Sequence, residues 1–265
     1  MNNAEATPVR DPLEGVSANG TIVTGAQRDR LPAVFEPVLL EATRLVRESE
    51  ANASLYLYGS VATGQARVPW SDVDLVSIDV RLEVSTAVSR VLSERFASLC
   101  RAVEVAVAQG SGFEGGSDEA YGSRVFLRHY CVHLSGPRRH ESLPAFPADA
   151  RAARGFNGDI ALHAERWRHD LEAGADPVAL SRRIARKTLA VAGLVSVHDH
   201  TWTTDRASSA HRWAEIQPEL TDALDALVRW AEGPDAPTGS ELARILAGPV
   251  SDLVASFETS VGLWR

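Results

Sequence analysis

Cysteine is nearly absent from this sequence, with Cys100 and Cys131 the only two. Two such thiols supply neither a disulfide framework nor the ligand spacing of a zinc site. They read as reduced, buried side chains of a cytoplasmic protein. Lysine is scarcer still: Lys187 stands alone among 27 basic residues. No apolar run approaches the roughly 20 residues that span a bilayer, so no membrane segment is expected. The first thirty residues are polar and carry acids early, unlike a secretory signal with its basic start and apolar middle. There is no internal repeat and no low-complexity tract. Positive charge is in deficit too, 27 basic against 35 acidic residues, for a net charge of −8. A broad grip on nucleic acid needs the opposite sign. An acidic surface suits a cationic small molecule through long-range steering, and it serves solubility equally well.

What is present is an ordinary globular chain, 45% apolar over 265 residues, with material for a sizeable core. Residues 1–30 lack periodicity and read as a flexible tail. Val34, Val38, Leu39, Ala42 and Val46 recur at helical spacing over 33–47. Residues 55–58 form a short strand closed by Gly59, 73–80 a second strand, 82–99 a helix, and 102–108 (AVEVAVA) a third, alternating strand. A loop is expected at 111–117 and a further strand at 130–134. From Pro147 onward the pattern is helical, over 148–172, 177–197, 206–216 and 220–230, with two more helices from 240 to 262. The expected fold class is an α/β domain, a small mixed sheet with helices over 31–140, followed by an all-α domain over 148–265.

Chemistry concentrates in 56–80, YLYGSVATGQARVPWSDVDLVSIDV. A strand runs into Gly59-Ser60, and the next segment begins as a helix does, with unpaired N–H groups and a dipole that favour an anion. Gly59 lets a phosphate approach the main chain, and the Ser60 hydroxyl can donate one more hydrogen bond. Asp72 and Asp74 alternate on a strand and so share a face. Two adjacent carboxylates repel and are most easily held with a cation between them; Mg²⁺ takes carboxylates together with phosphate oxygens. Glu104, within so apolar a strand, needs a partner or a purpose. If its strand lies beside 73–80, all three acids converge. Each feature alone has a plainer account, a capped turn or a solvated strand edge. Together they describe a site for in-line nucleotidyl transfer, one carboxylate accepting the proton of an attacking hydroxyl.

These residues resemble the polymerase-β-type nucleotidyltransferase superfamily, whose signature is Gly-Ser, a spacer, then Asp-apolar-Asp. Residues 61–71 match the spacer, and Ser71-Asp72-Val73-Asp74-Leu75 matches the core. Arg101-Ala102-Val103-Glu104-Val105 resembles the base-bearing strand of the aminoglycoside adenylyltransferases that act on streptomycin and spectinomycin. The resemblance implies that Asp72 and Asp74, with Glu104, hold Mg²⁺ and that Glu104 deprotonates the acceptor hydroxyl. It implies ATP as co-substrate, with Gly59, Ser60, Ser71, Arg186 and Lys187 as candidate nucleotide-binding residues. It also implies an aminoglycoside-like acceptor and a role in antibiotic resistance. Where those enzymes carry a lysine shortly before a Trp-Ala pair, this chain reads Thr203-Thr204-Asp205-Arg206-Ala207, and Arg206 is the available cation.

Two other readings use the same residues: the same transfer to a protein or tRNA, and an idle member that senses nucleotide or binds a partner. Three retained, mutually repelling acids speak against the idle member. His198-Asp199-His200 lacks a third ligand at useful spacing, and His129 and His133 flank a segment with strand character, so neither pattern predicts a metal site. Trp167, Trp202, Trp213 and Trp230 are expected in the core or between domains.

Overall fold

The computed structural model describes residues 11–195, 201–232, 235 and 237–264. A strand pair, β1 (Gly15–Val16) and β2 (Ile22–Val23), precedes two short 3-10 turns and helix α1 (Glu36–Ser49). There follow β3 (Ser54–Tyr58), the single turn α2 (Gly59–Ala62), β4 (Val73–Ile78), α3 (Leu82–Arg95), β5 (Val103–Ala108), α4 (Asp118–His129) and β6 (Val132–Ser135). The remainder is helical: α5 (Ala150–Asn157), α6 (Ile160–Glu172), α7 (Pro177–Val195), α8 (Arg206–Ile216), α9 (Thr221–Glu232), α10 (Gly239–Ala247) and α11 (Pro249–Ser260). None of the described helices is long and apolar enough to cross a membrane.

Four strands form one sheet in the order β5-β4-β3-β6, antiparallel except for the parallel pair β4–β5. Alternation along each strand sorts the side chains by face. Leu55, Leu57, Val73, Leu75, Val103 and Val105 pack with Val38, Leu39, Ala42 and Val46 of α1 and Val88 and Leu92 of α3. The opposite face carries Tyr56, Val76 and Ile78, covered by Leu127 of α4 and by Cys131. Burying a side chain of this kind contributes roughly 1.5–3 kcal/mol, so the sheet is held mainly by its α1–α3 side.

Sequence and structure part company at three places. Residues 11–30 are not a tail: the β1–β2 pair packs Ile22 into the helical core and Ile22 N–H donates to Phe146. Helix α4 replaces the weak signal after 108. Ser117 caps it, Asp118 and Glu119 sit in its first turn and Arg128 and His129 in its last, as the helix dipole favours. Its interior Gly122 masked the helical pattern. The helix expected over 148–172 is broken at Gly158, where Trp264 N–H donates to the Gly158 carbonyl and its indole Nε1 to Arg154. His129 ends α4 while His133 lies on β6, which separates that pair. The His198-Asp199-His200 pattern lies outside the described residues, whereas Trp167, Trp202, Trp213 and Trp230 are all buried as expected.

Gly122 has a structural use. A methyl group there would run into the backbone of Gly155, and one on Gly155 into Gly122, so α4 and α5 cross backbone to backbone, braced by Arg154 Nε donating to Asp118 Oδ2 at 2.7 Å. Helix α4 thereby joins the sheet to the helical core, into which it sends Tyr121 and Val125. Gly122→Ala is expected to destabilise the protein by about 3 kcal/mol, the upper range for overpacking, despite its better helix propensity. Urea unfolding checks this; a neutral or stabilised variant would show that the crossing is not backbone-limited.

Candidate active site

The register of β4 on β5 places Asp74 directly opposite Glu104, and β3 on β4 places Tyr58 opposite Asp74 on the other side. Asp72, one turn of the pleat before Asp74, lies on the same face. The pairing thus sets Asp74 beside Glu104, with Asp72 two residues before Asp74. The premise about Glu104 needs correcting: β5 is an edge strand and Glu104 is exposed, so its placement, not burial, singles it out.

Burial, with the like charges of Asp72 and Glu104, pushes the Asp74 carboxyl up to about 6, against the relief of Arg101 and Arg206. Burial and the facing acids also push the Tyr58 phenol up. Arg101 grips Asp72 with two hydrogen bonds, Nε to Oδ1 at 2.9 Å and Nη2 to Oδ2, the bidentate geometry that a planar fork allows. Arg101 was quoted in the sequence only as part of a pattern; its partner emerges from the β4–β5 pairing.

Gly59 has a positive φ of 72°, and a Cβ there would fall onto the Asp74 carboxylate. The glycine is required twice, by its left-handed backbone and by the approach of Asp74. The segment after it is one helical turn of four residues rather than a helix, so the expected helix-dipole contribution at Ser60 shrinks to local N–H groups. Ser71 is buried, and its hydroxyl accepts from Arg67 N–H at 2.8 Å. It closes the loop that delivers Asp72. Arg186 Nε donates to the Ala231 carbonyl at 3.4 Å, and Lys187 Nζ pairs with Asp159 at 2.7 Å. Neither contact brings these two cations to the acids. Arg206, the first residue of α8, is the helical-region cation whose charge Asp74 feels.

Do these residues fit a divalent cation? Their donors are all carboxylate oxygens, the hard set Mg²⁺ prefers, and negative charge outweighs positive at Asp74. Asp72, however, is turned to Arg101, and among the described residues no three His, Cys, Asp or Glu side chains are gathered as a formed metal group. The donor chemistry suits such an ion, while Asp72 is engaged by Arg101.

The fold is thus a four-stranded mixed sheet with acids on neighbouring strands, followed by a helical remainder. Among solved structures the chain is similar to spectinomycin adenyltransferase AAD(9) from Enterococcus faecialis, solved with ATP and spectinomycin, with a TM-score of 0.53. The match covers 84% of this chain and 98% of that one at 11% identity, a likeness of fold. No family model matches the sequence, and no curated protein matches it significantly.

A carboxyl that titrates near 6 when folded and near 3.8 ordinarily makes the folded chain bind more protons than the unfolded one between those values. Stability therefore falls as pH rises through that window, and ionised Asp74 remains a fixed cost above it. Asp74→Asn is expected to stabilise the metal-free protein at pH 8 by on the order of 2 kcal/mol. The gain should shrink to nothing below about pH 4. Thermal melts in EDTA across this range test it; a gain independent of pH would contradict the charge origin.

Proposed function

We propose that this chain is a Mg²⁺-dependent adenylyltransferase that moves AMP from ATP to a hydroxyl of a small cationic, aminoglycoside-like acceptor and releases pyrophosphate. The observation that carries this reading is the parallel register that sets Asp74 against Glu104, with Gly59 closed onto Asp74. The fold likeness to an adenyltransferase supports it. The net charge of −8 suits a cationic acceptor, and the helical region over 148–265 would supply the acceptor side.

In this mechanism Asp72 and Asp74 would hold the metal, with Glu104 beside them, and when bound it would neutralise the triphosphate and support in-line displacement. Glu104, exposed at the sheet edge, accepts the proton of the acceptor hydroxyl. That oxygen forms a bond to the α-phosphorus as the bond to the bridging oxygen breaks, and pyrophosphate departs with the electron pair. Main-chain N–H groups around Gly59-Ser60 and the Arg206 guanidinium face the phosphates. The Tyr58 phenol, kept neutral by burial and by the facing acids, walls the site without adding charge.

One observation favours a larger acceptor with the same chemistry. The loop before Ser71 exposes Trp70, 74% accessible, beside Val68 at 45%, and exposed apolar side chains next to a reactive site suit contact with a macromolecule.

Pyrophosphate release from Mg·ATP, measured across aminoglycosides, tRNA and protein extract, separates these acceptors. Aminoglycoside-dependent release that vanishes in Asp74→Asn is the expected result; release only with tRNA or protein would move the assignment to the larger acceptor. Glu104→Gln should cut transfer by about 10²–10⁴-fold, the usual contribution of a general base, while Mg·ATP binding stays within about threefold. Substantial residual transfer would remove Glu104 from the base role.

A further inference from the structure

Outside the candidate site, a carboxylate with four hydrogen-bond donors belongs to the segment that the sequence presents as a tail. Glu14 Oε1 accepts from the Tyr130 hydroxyl at 2.9 Å and from Thr204 Oγ1 at 2.6 Å. Its Oε2 accepts from Thr204 N–H at 2.8 Å and from Thr203 Oγ1 at 3.2 Å. Four neutral donors converge on one carboxylate. An amide could not replace it, because one of its two heads donates rather than accepts. Burial works against the charge and pushes the Glu14 carboxyl up, so the group is retained against a cost.

Two routes lead from Glu14 to the candidate site. On one side the Tyr130 ring stacks on Phe126, centroids 6.2 Å apart, and Phe126 meets the edge of Tyr58 at 5.2 Å; Tyr58 is the cross-strand neighbour of Asp74. On the other side Thr203 Oγ1 accepts from Asp205 N–H at 3.2 Å, and Asp205 caps α8 through Ser208 N–H at 2.8 Å. The residue that follows Asp205 is Arg206, and Trp202 locks the same segment by donating from Nε1 to the Tyr130 hydroxyl at 2.6 Å. A single carboxylate thus sets where the start of α8 stands relative to the acid-bearing sheet face.

We infer that Glu14 is a positioning residue: by fixing Thr203 and Thr204 it holds Arg206 across from Asp72, Asp74 and Glu104, where the guanidinium receives the phosphates of a nucleoside triphosphate. The inference rests on the adenylyl-transfer reading and adds a residue far in sequence that touches no substrate. Arg206 supplies the charge; Glu14 supplies its place.

The test measures Mg·ATP affinity of the full chain by calorimetry, beside Mn²⁺ affinity without nucleotide. Glu14→Ala and Arg206→Ala should each weaken Mg·ATP binding about tenfold. Their combination should be little worse than either alone, because both remove one interaction. Glu14→Gln, which keeps part of the acceptor set, should lose about threefold, and Mn²⁺ affinity in Glu14→Ala should stay within about twofold. Should Glu14→Ala fold poorly, Thr204→Val, at an exposed position, removes one donor to the same carboxylate and is expected to lose about threefold. Losses that multiply in the double variant would overturn the inference, as would lowered melting temperature with Mg·ATP affinity intact in both Glu14→Gln and Thr204→Val. Wild-type protein that binds no Mg·ATP would overturn the adenylyl-transfer reading and this inference with it.

Discussion

Everything at the candidate site depends on the register of one parallel strand pair. Asp74 faces Glu104 only because Val73 pairs with Val103 and Leu75 with Val105 on the other side of the sheet. A slip of one residue would turn the acids into the α1–α3 core and the valines to water. Paired residues on neighbouring strands have Cβ atoms about 5 Å apart, and two carboxylates at about that separation repel by roughly 3 kcal/mol at the effective dielectric of a protein surface. The four apolar side chains behind them return roughly 1.5–3 kcal/mol each. Hydrophobic burial wins, and the sheet can carry concentrated negative charge at its edge without giving way.

This division of labour explains which parts of the molecule the sequence discloses. The acids and the strands that bear them were legible because alternation is a short-range signal: VDLVSI and VEVAVA each declare two faces, and Asp-x-Asp fixes which face is charged. Pairing between strands was not legible. That β5 lies parallel at the edge, leaving Glu104 exposed, depends on a crossover through α3 that no local pattern specifies. Helix α4 was missed for a similar reason. Gly122 lowers helix propensity locally, and its use becomes visible only when Gly155, far along the chain, lies against it. Glu14 was least legible of all, since an acid in an aperiodic polar segment gives no sign of the four donors that meet it.

The candidate site residues divide along the same line. Gly59 and Asp74, close in the folded chain, were named from sequence, and the structure adds that the glycine also accommodates the aspartate. Arg186 and Lys187 were named from a diffuse helical likeness, and their described contacts run to Ala231 and Asp159. Residues on strands inherit precise positions from hydrogen-bonded register. A long side chain on a helix surface can reach over several ångströms, so its sequence position says little about its partner.

The charges of Arg101 and Arg206 act on Asp74 from opposite parts of the fold, one at the entry to β5 and the other at the start of α8. Neither neutralises it, since its carboxyl still titrates near 6. On the adenylyl-transfer reading this imbalance has a direction. A bare divalent cation satisfies the acids but must stand against two guanidinium groups. A cation that arrives with a triphosphate satisfies the acids and gives the arginines oxygens to face. The arrangement therefore favours the metal–nucleotide pair over either member alone. That preference follows from where the charges sit, and those positions are fixed by apolar packing behind the sheet and by hydrogen bonds before α8.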